Sequence, residues 1–143
     1  MQTNTLLSLR DLLSCSLKEI HSFEINHGES WAILGGNGSG KTTFAKLLKA
    51  SIPHLNAQIV SFEEEQSLLE REIYEDDSEF FDADPGRTTR ELIEEHHSAS
   101  VSLDGLIDKL QLTAFIDTGF RLLSTGERRR LMLARALAQN PDL

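Results

Sequence analysis

Three short apolar stretches open the chain. Residues 6–13, 20–25 and 30–34 read as strands, the second because Ile20, Phe23 and Ile25 alternate with polar neighbours with one slip. Asn26, His27 and Gly28 supply a turn between the last two. Trp31, Ala32, Ile33 and Leu34 are apolar without interruption, the pattern of a strand covered on both faces, and they run into a loop with glycines at 35, 36, 38 and 40. Phe44, Leu47 and Leu48 then recur at helical spacing. Pro53 sets the stop near Ala50, because the residue before a proline avoids helical geometry. Residues 59–62 predict one more strand.

The second half changes character. Between Glu63 and Asp84 eleven residues are acidic and Arg71 is the one base, which predicts a solvated helix and loop. Asp84, Pro85 and Gly86 mark a turn, and Thr88, three residues before Glu91, makes a capping box for a helix through Leu92 and Ile93. After a loop at 98–100, Leu106, Ile107 and Leu110 continue a helical region. Leu131, Ala134, Leu137 and Ala138 share one face, so a last helix covers about 127–138.

At 143 residues and 39% apolar content the chain suits one domain with its own core. The net charge of −9 repels a polyanion and argues against direct nucleic-acid binding. Cys15 is the only cysteine, so no internal disulfide forms; a reducing compartment and a small buried side chain are the expectation. No run approaches the roughly 18 to 20 apolar residues of a membrane span, and residues 1–10 lack a leader pattern.

Chemistry is concentrated in two segments. Gly35-Gly36-Asn37-Gly38-Ser39-Gly40-Lys41-Thr42, with Thr43 after it, fits G-x-x-x-x-G-K-[ST] and lies after a predicted strand and before a predicted helix. Glycines let consecutive N–H groups turn inward around a phosphate, and the helix adds its positive end. Lys41 would reach the terminal phosphates, and the Thr42 hydroxyl is the expected Mg²⁺ ligand. A glycine turn that binds nothing is the alternative, and the flanking elements argue against it. The loop by itself fits kinases, GTPases and motor ATPases alike.

The second segment is Leu123-Ser124-Thr125-Gly126-Glu127, followed by Arg128, Arg129 and Arg130, the run Ala134-Arg135-Ala136-Leu137, and Asn140-Pro141-Asp142-Leu143. Ser124 and Glu127 are spaced as a capping box, which leaves a polar helix start able to receive an anion. Alone this is a capped amphipathic helix. Together with the phosphate loop it resembles the signature segment of ABC-type ATPases, whose usual spelling is LSGGQ, so Thr125 and Glu127 depart from the pattern.

The resemblance implies an α/β P-loop NTPase core with N-terminal antiparallel strands and a helical signature subdomain. It implies ATP and Mg²⁺ as ligands, ATP hydrolysis in the whole protein, and a second ATPase domain in head-to-tail contact whose γ-phosphate meets residues 124–127. A membrane permease would be reached only through a partner, with cytoplasmic or peripheral placement. Residues 28–34, Gly86-Arg87-Thr88-Thr89 and 123–127 are similar to the first half of the ModF and photorepair types, which carry two such domains in tandem. On this reading residues 1–62 hold the strands and phosphate loop, 63–87 an acidic connector and 88–143 the signature region.

Departures matter as well. No aromatic residue occurs in 11–18, where the family has one to stack on adenine. Gln66 is the candidate for the glutamine that contacts metal and attacking water, with Glu64 as the alternative register. The segment at 140–143 resembles the lead-in to the Walker B strand, and the Asp and Glu that organise Mg²⁺ and water would follow it; Asp142 is not that aspartate. The central sheet of this stretch is therefore expected to be incomplete, with exposed strand edges. None of His21, His27, His54, His96 or His97 matches the switch histidine. A nucleotide-sensing interaction module without significant turnover is the competing function.

Overall fold

The computed structural model describes residues 5–14, 17–74 and 85–143, with side chains from Glu24 onward. Cys15 and residues 75–84, with the acidic stretch from Glu75 to Asp84, lie outside the described residues. The chain divides into two compact units, residues 1–52 and 53–143.

The first unit begins with a hairpin. Strand β1 (Thr5–Ser14) pairs antiparallel with β2 (Leu17–Asn26), with Leu9 opposite Phe23 and Leu12 opposite Ile20. Both strands run slightly longer than the apolar pattern marks, because ladder hydrogen bonds extend past the last apolar residue. The turn at 26–28 forms as its sequence predicts: Gly28 takes φ +79° and the Glu29 N–H closes on the Asn26 carbonyl at 3.1 Å. The Glu29 carboxylate then accepts from the Asn26 N–H at 3.0 Å and from Trp31 Nε1 at 3.0 Å.

Residues 30–34 do not form the predicted strand. A strand exists only as part of a ladder, and among the described residues the one sheet is β1–β2. The apolar run carries no regular structure, and Trp31 is 58%, Ile33 50% and Leu34 90% exposed. The glycine loop follows, and helix α1 (Lys41–Ser51) ends with Ile52 as its C-cap, one residue past the expected stop.

The second unit is helical. The predicted strand at 59–62 is likewise overturned: residues 56–61 carry no regular structure, and helix α2 (Phe62–Tyr74) starts at Phe62. The Ser61 hydroxyl accepts from the Glu64 N–H at 3.2 Å, and that cap diverts the chain from strand to helix. Glu65, Leu68 and Glu72 face inward at i, i+3 and i+7, so α2 is not solvated all round as its acidity suggests.

Helix α3 (Thr89–Glu94) starts at the expected capping box, Thr88 and Glu91 exchanging both bonds. Helix α4 (Leu103–Lys109) is capped by Ser102. Two short 3-10 turns, Thr113–Phe115 and Phe120–Leu122, lead to helix α5 (Thr125–Ala138).

The core gathers Leu92, Ile93, Leu106, Leu112, Phe120 and Leu131. Burying Phe120 completely contributes about 2–3 kcal/mol. Ala134 and Ala138 put no bulk on the inward face of α5, and α3 packs there. Leu137 is not on that face, being 39% exposed. Asn140 at φ +51° and Pro141 end α5.

Beyond α5 the chain turns back along residues 56–58. Gln58 N–H donates to Leu143 O at 2.8 Å, Leu143 N–H to Asn56 O at 3.5 Å, and Asp142 N–H to Asn56 O at 2.8 Å. That is the bonding of one parallel rung centred on Ala57 and Leu143. The Asp142 carboxylate accepts from the Asn56 N–H at 2.9 Å.

Candidate functional site

The glycine loop of the first unit is closed on itself by Lys41. Its ammonium donates to Gly35 O at 2.9 Å, Gly36 O at 2.8 Å and Ser39 Oγ at 3.4 Å, while Ser39 N–H donates to Gly36 O at 3.3 Å. Three positions favour glycine, for two different reasons. Gly38 and Gly40 take φ +78° and +87°, and at Gly35 a Cβ would stand 2.6 Å from Ser39 Oγ. At Gly36 and Gly38 a Cβ would meet nothing within 4 Å, so the loop faces open space there.

The start of α1 is prepared for an anion. Gly40 is the N-cap, no side chain caps the helix, and no acidic residue lies in its first turn. The helix therefore presents its positive end without a resident carboxylate. Lys41 is half-buried, and Thr42 and Thr43 are exposed at the same end. Free N–H groups at a helix start suit an anion, and a threonine hydroxyl suits a hard cation.

In the second unit Ser124 caps α5. Its Oγ accepts from the Glu127 N–H at 3.4 Å, and Glu127 Oε2 accepts from the Ser124 N–H at 2.8 Å and from its hydroxyl at 2.7 Å. Those bonds, the one from the Ser124 hydroxyl first, hold the Glu127 carboxyl below its ordinary range. Thr125 and Gly126 are exposed beside it. Behind the cap, the Arg128 guanidinium lies 5.5 Å from the Phe120 ring centre and donates to Arg121 O at 3.2 Å.

Gln66 sits within α2, half-buried, rather than in a loop after a strand. Its alternative, Glu64, lines a cavity of about 330 Å³ together with Arg71, His96 and Arg135. His97 bonds to Val101 O at 2.8 Å.

The sequence reading missed the ion-pair network around Glu95 and Glu72. Arg87 bonds Glu72 at 2.6 Å and Glu95 at 3.4 Å, and Arg135 and Arg71 reach Glu95 at 2.7 and 3.5 Å. Burial pushes the Glu95 carboxyl up, but Arg87, Arg135 and Arg71 outweigh it and leave it below the ordinary value. The only trace in the sequence is Arg87 standing just past the acidic run; its partners are Glu72 on α2 and Glu95 at the C-cap of α3, which periodicity does not pair.

A loop of glycines and one lysine at a helix start without a side-chain cap, followed by a Ser-capped helix carrying an Ala-Arg-Ala-Leu run, defines a P-loop nucleotide-binding protein. The chain belongs to the ABC transporter family, whose sequence profile matches residues 18–143. It is similar to the ABC transporter ATP-binding protein ModF of Escherichia coli (strain K12), 33% identical over 137 residues, which cover 87% of this chain and 28% of that protein. Nod factor export ATP-binding protein I of Burkholderia pseudomallei (strain K96243) is 33% identical over 134 residues, 85% of this chain and 44% of that protein. Energy-coupling factor transporter ATP-binding protein EcfA1 of Mesomycoplasma hyopneumoniae (strain 7448) is 30% identical over 132 residues, 81% of this chain and 47% of that protein. The chain thus spans less than half the length of these relatives. No solved structure matches it significantly. Membership implies the P-loop NTPase fold; among the described residues no helix is long and apolar enough to cross a membrane.

Proposed function

We propose that residues 1–143 are the N-terminal portion of an ABC-type ATPase domain that binds Mg-ATP at residues 35–43. The observation that carries this reading is the Lys41 ammonium enclosed by a glycine loop at a helix start with no side-chain cap and no acid. Main-chain N–H groups of the loop and Lys41 would hold the phosphates, and Thr42 would hold Mg²⁺, which when bound offsets phosphate charge. To meet a phosphate, Lys41 exchanges the Gly35 and Gly36 carbonyls for phosphate oxygens, a swap of neutral for charged acceptors.

In the full protein, residues 124–127 would complete a nucleotide site held by a second ATPase domain, in tandem as in the ModF and photorepair types or on another copy. Hydrolysis there would drive closure and reopening that moves a partner, with a permease reached only through that partner and Gln66 as the candidate glutamine. The rung between Ala57 and Leu143 supports a central sheet continued by a strand beside residues 57–60. Residues 1–143 alone are expected to bind with little turnover, since Asp142 belongs to the lead-in to the Walker B strand and is not the aspartate that organises Mg²⁺ and water.

Calorimetric titration of the chain with Mg-ATP and Mg-GTP, together with steady-state ATPase of the full protein, tests this. Triphosphate binding and turnover are the expected results. Absence of binding overturns the reading, and binding without turnover in the full protein favours a nucleotide-sensing module.

A further inference from the structure

The signature helix already carries an anion at its start, and the chain supplies it. Glu127, the third residue of α5, turns back so that Oε2 takes both the N–H and the hydroxyl of Ser124, at 2.8 and 2.7 Å. An incoming phosphate oxygen would use the same hydroxyl and the same positive helix end. Two anions cannot share one hydroxyl at contact distance without repulsion. The surroundings leave room for an exchange: a Cβ at Gly126 would meet nothing within 4 Å, and Thr125 is exposed.

We propose, resting on the reading that residues 124–127 face a nucleotide held by another ATPase domain, that Glu127 is a resident competitor for that contact. The terminal phosphate has to displace the Glu127 carboxylate from Ser124, and this raises the nucleotide concentration at which the two domains close. A glutamine at this place, as in the usual family spelling, accepts from the Ser124 N–H and keeps the cap without the charge. Glu127 is thus a positioning and threshold-setting residue.

The test uses the full protein with the Mg²⁺ complex of a non-hydrolysable ATP analogue, closure being followed by small-angle scattering and binding by calorimetry. E127Q is expected to close at roughly tenfold lower analogue concentration than the unchanged protein, with the gap narrowing as salt is raised. E127A, which removes the carboxylate outright, moves the midpoint in the same direction. A purely structural cap has no reason to give either the gain or its salt dependence. Equal closure midpoints for all three proteins overturn the proposal. If analogue binds but none of them closes, the assignment of residues 124–127 to a second domain's nucleotide fails, and this inference with it.

Discussion

The Glu72 carboxylate receives three hydrogen bonds from Arg87: from the backbone N–H at 2.9 Å, from Nε at 3.0 Å and from Nη2 at 2.6 Å. Glu72 is buried on α2, whereas Arg87 stands just ahead of α3 and is a third exposed. One side chain thus joins two elements separated by the acidic connector. Its backbone carbonyl also accepts from the Phe120 N–H at 2.9 Å, close to the signature segment.

Replacing Arg87 leaves a buried carboxylate without its partner. R87A is expected to destabilise the second unit by about 2 kcal/mol, less than for a fully buried pair because solvent reaches the guanidinium. R87K keeps the charge and loses the fork, so it should fall between the two. Urea unfolding of the three proteins checks the order; an R87A protein as stable as the parent contradicts it.

Gly119 tests close approach without backbone strain. Its φ is −66°, which alanine tolerates, but a Cβ would lie 2.3 Å from Pro85 O and 2.5 Å from Pro85 Cβ. G119A has to push residues 85–88 off the bridge between Thr88 and Gly119, at about 2–3 kcal/mol. Gly86 is the contrasting case: φ is +73° and the nearest atom to a Cβ is Glu72 Oε2 at 3.2 Å, so G86A should cost about 1 kcal/mol. Denaturation midpoints that reverse this order would refute the steric account.

Acid should weaken the second unit through Glu95. Its carboxyl lies below the ordinary 4.5 when folded, because Arg87, Arg135 and Arg71 outweigh burial. A depressed folded value means that the stabilisation is complete above the unfolded value and is lost as pH falls through the folded one. Glu91 and Glu127, each held down by its capping partner, act with the same sign. Stability is therefore expected to be flat from neutrality to about pH 5 and to drop below it. E95Q should be less stable at pH 7 and show a shallower acid limb, which denaturant titrations across pH will report.

Local signals were legible where their partners are close in sequence. Thr88 with Glu91 and Ser124 with Glu127 lie three residues apart, and both boxes form. The turn at 26–28 and the end of α1 belong to the same class. Strand expectations at 30–34 and 59–62 failed because an apolar run specifies burial, not the ladder that supplies it, and at 61 a serine cap won over the apolar pattern. The acidity of α2 hid an inward face, since Glu72 is buried against an arginine fifteen residues away. At the candidate site, residue order located the glycine loop ahead of a helix and the serine cap of α5; the fold-back of Lys41 and the engagement of Ser124 by Glu127 are properties of three-dimensional placement.

Lys41 separates ligand binding from folding. Its contacts with Gly35, Gly36 and Ser39 lie at the surface of the first unit, and α1 has no fully buried residue. Removing one half-exposed ammonium there costs no more than about 1 kcal/mol of stability, because the carbonyls it leaves are open to water. The nucleotide loses a charge-assisted bond to its terminal phosphates, together with the one cation the loop sequence provides. K41A is accordingly expected to unfold near the parent's midpoint while its affinity for Mg-ATP falls by about a hundredfold or more, beyond calorimetric detection. K41R retains charge but brings a planar fork into a loop shaped around a single ammonium, so it should recover little of the binding. Parent-like affinity in K41A, measured on protein with an unchanged melting curve, would mean that the glycine loop is not where the triphosphate sits.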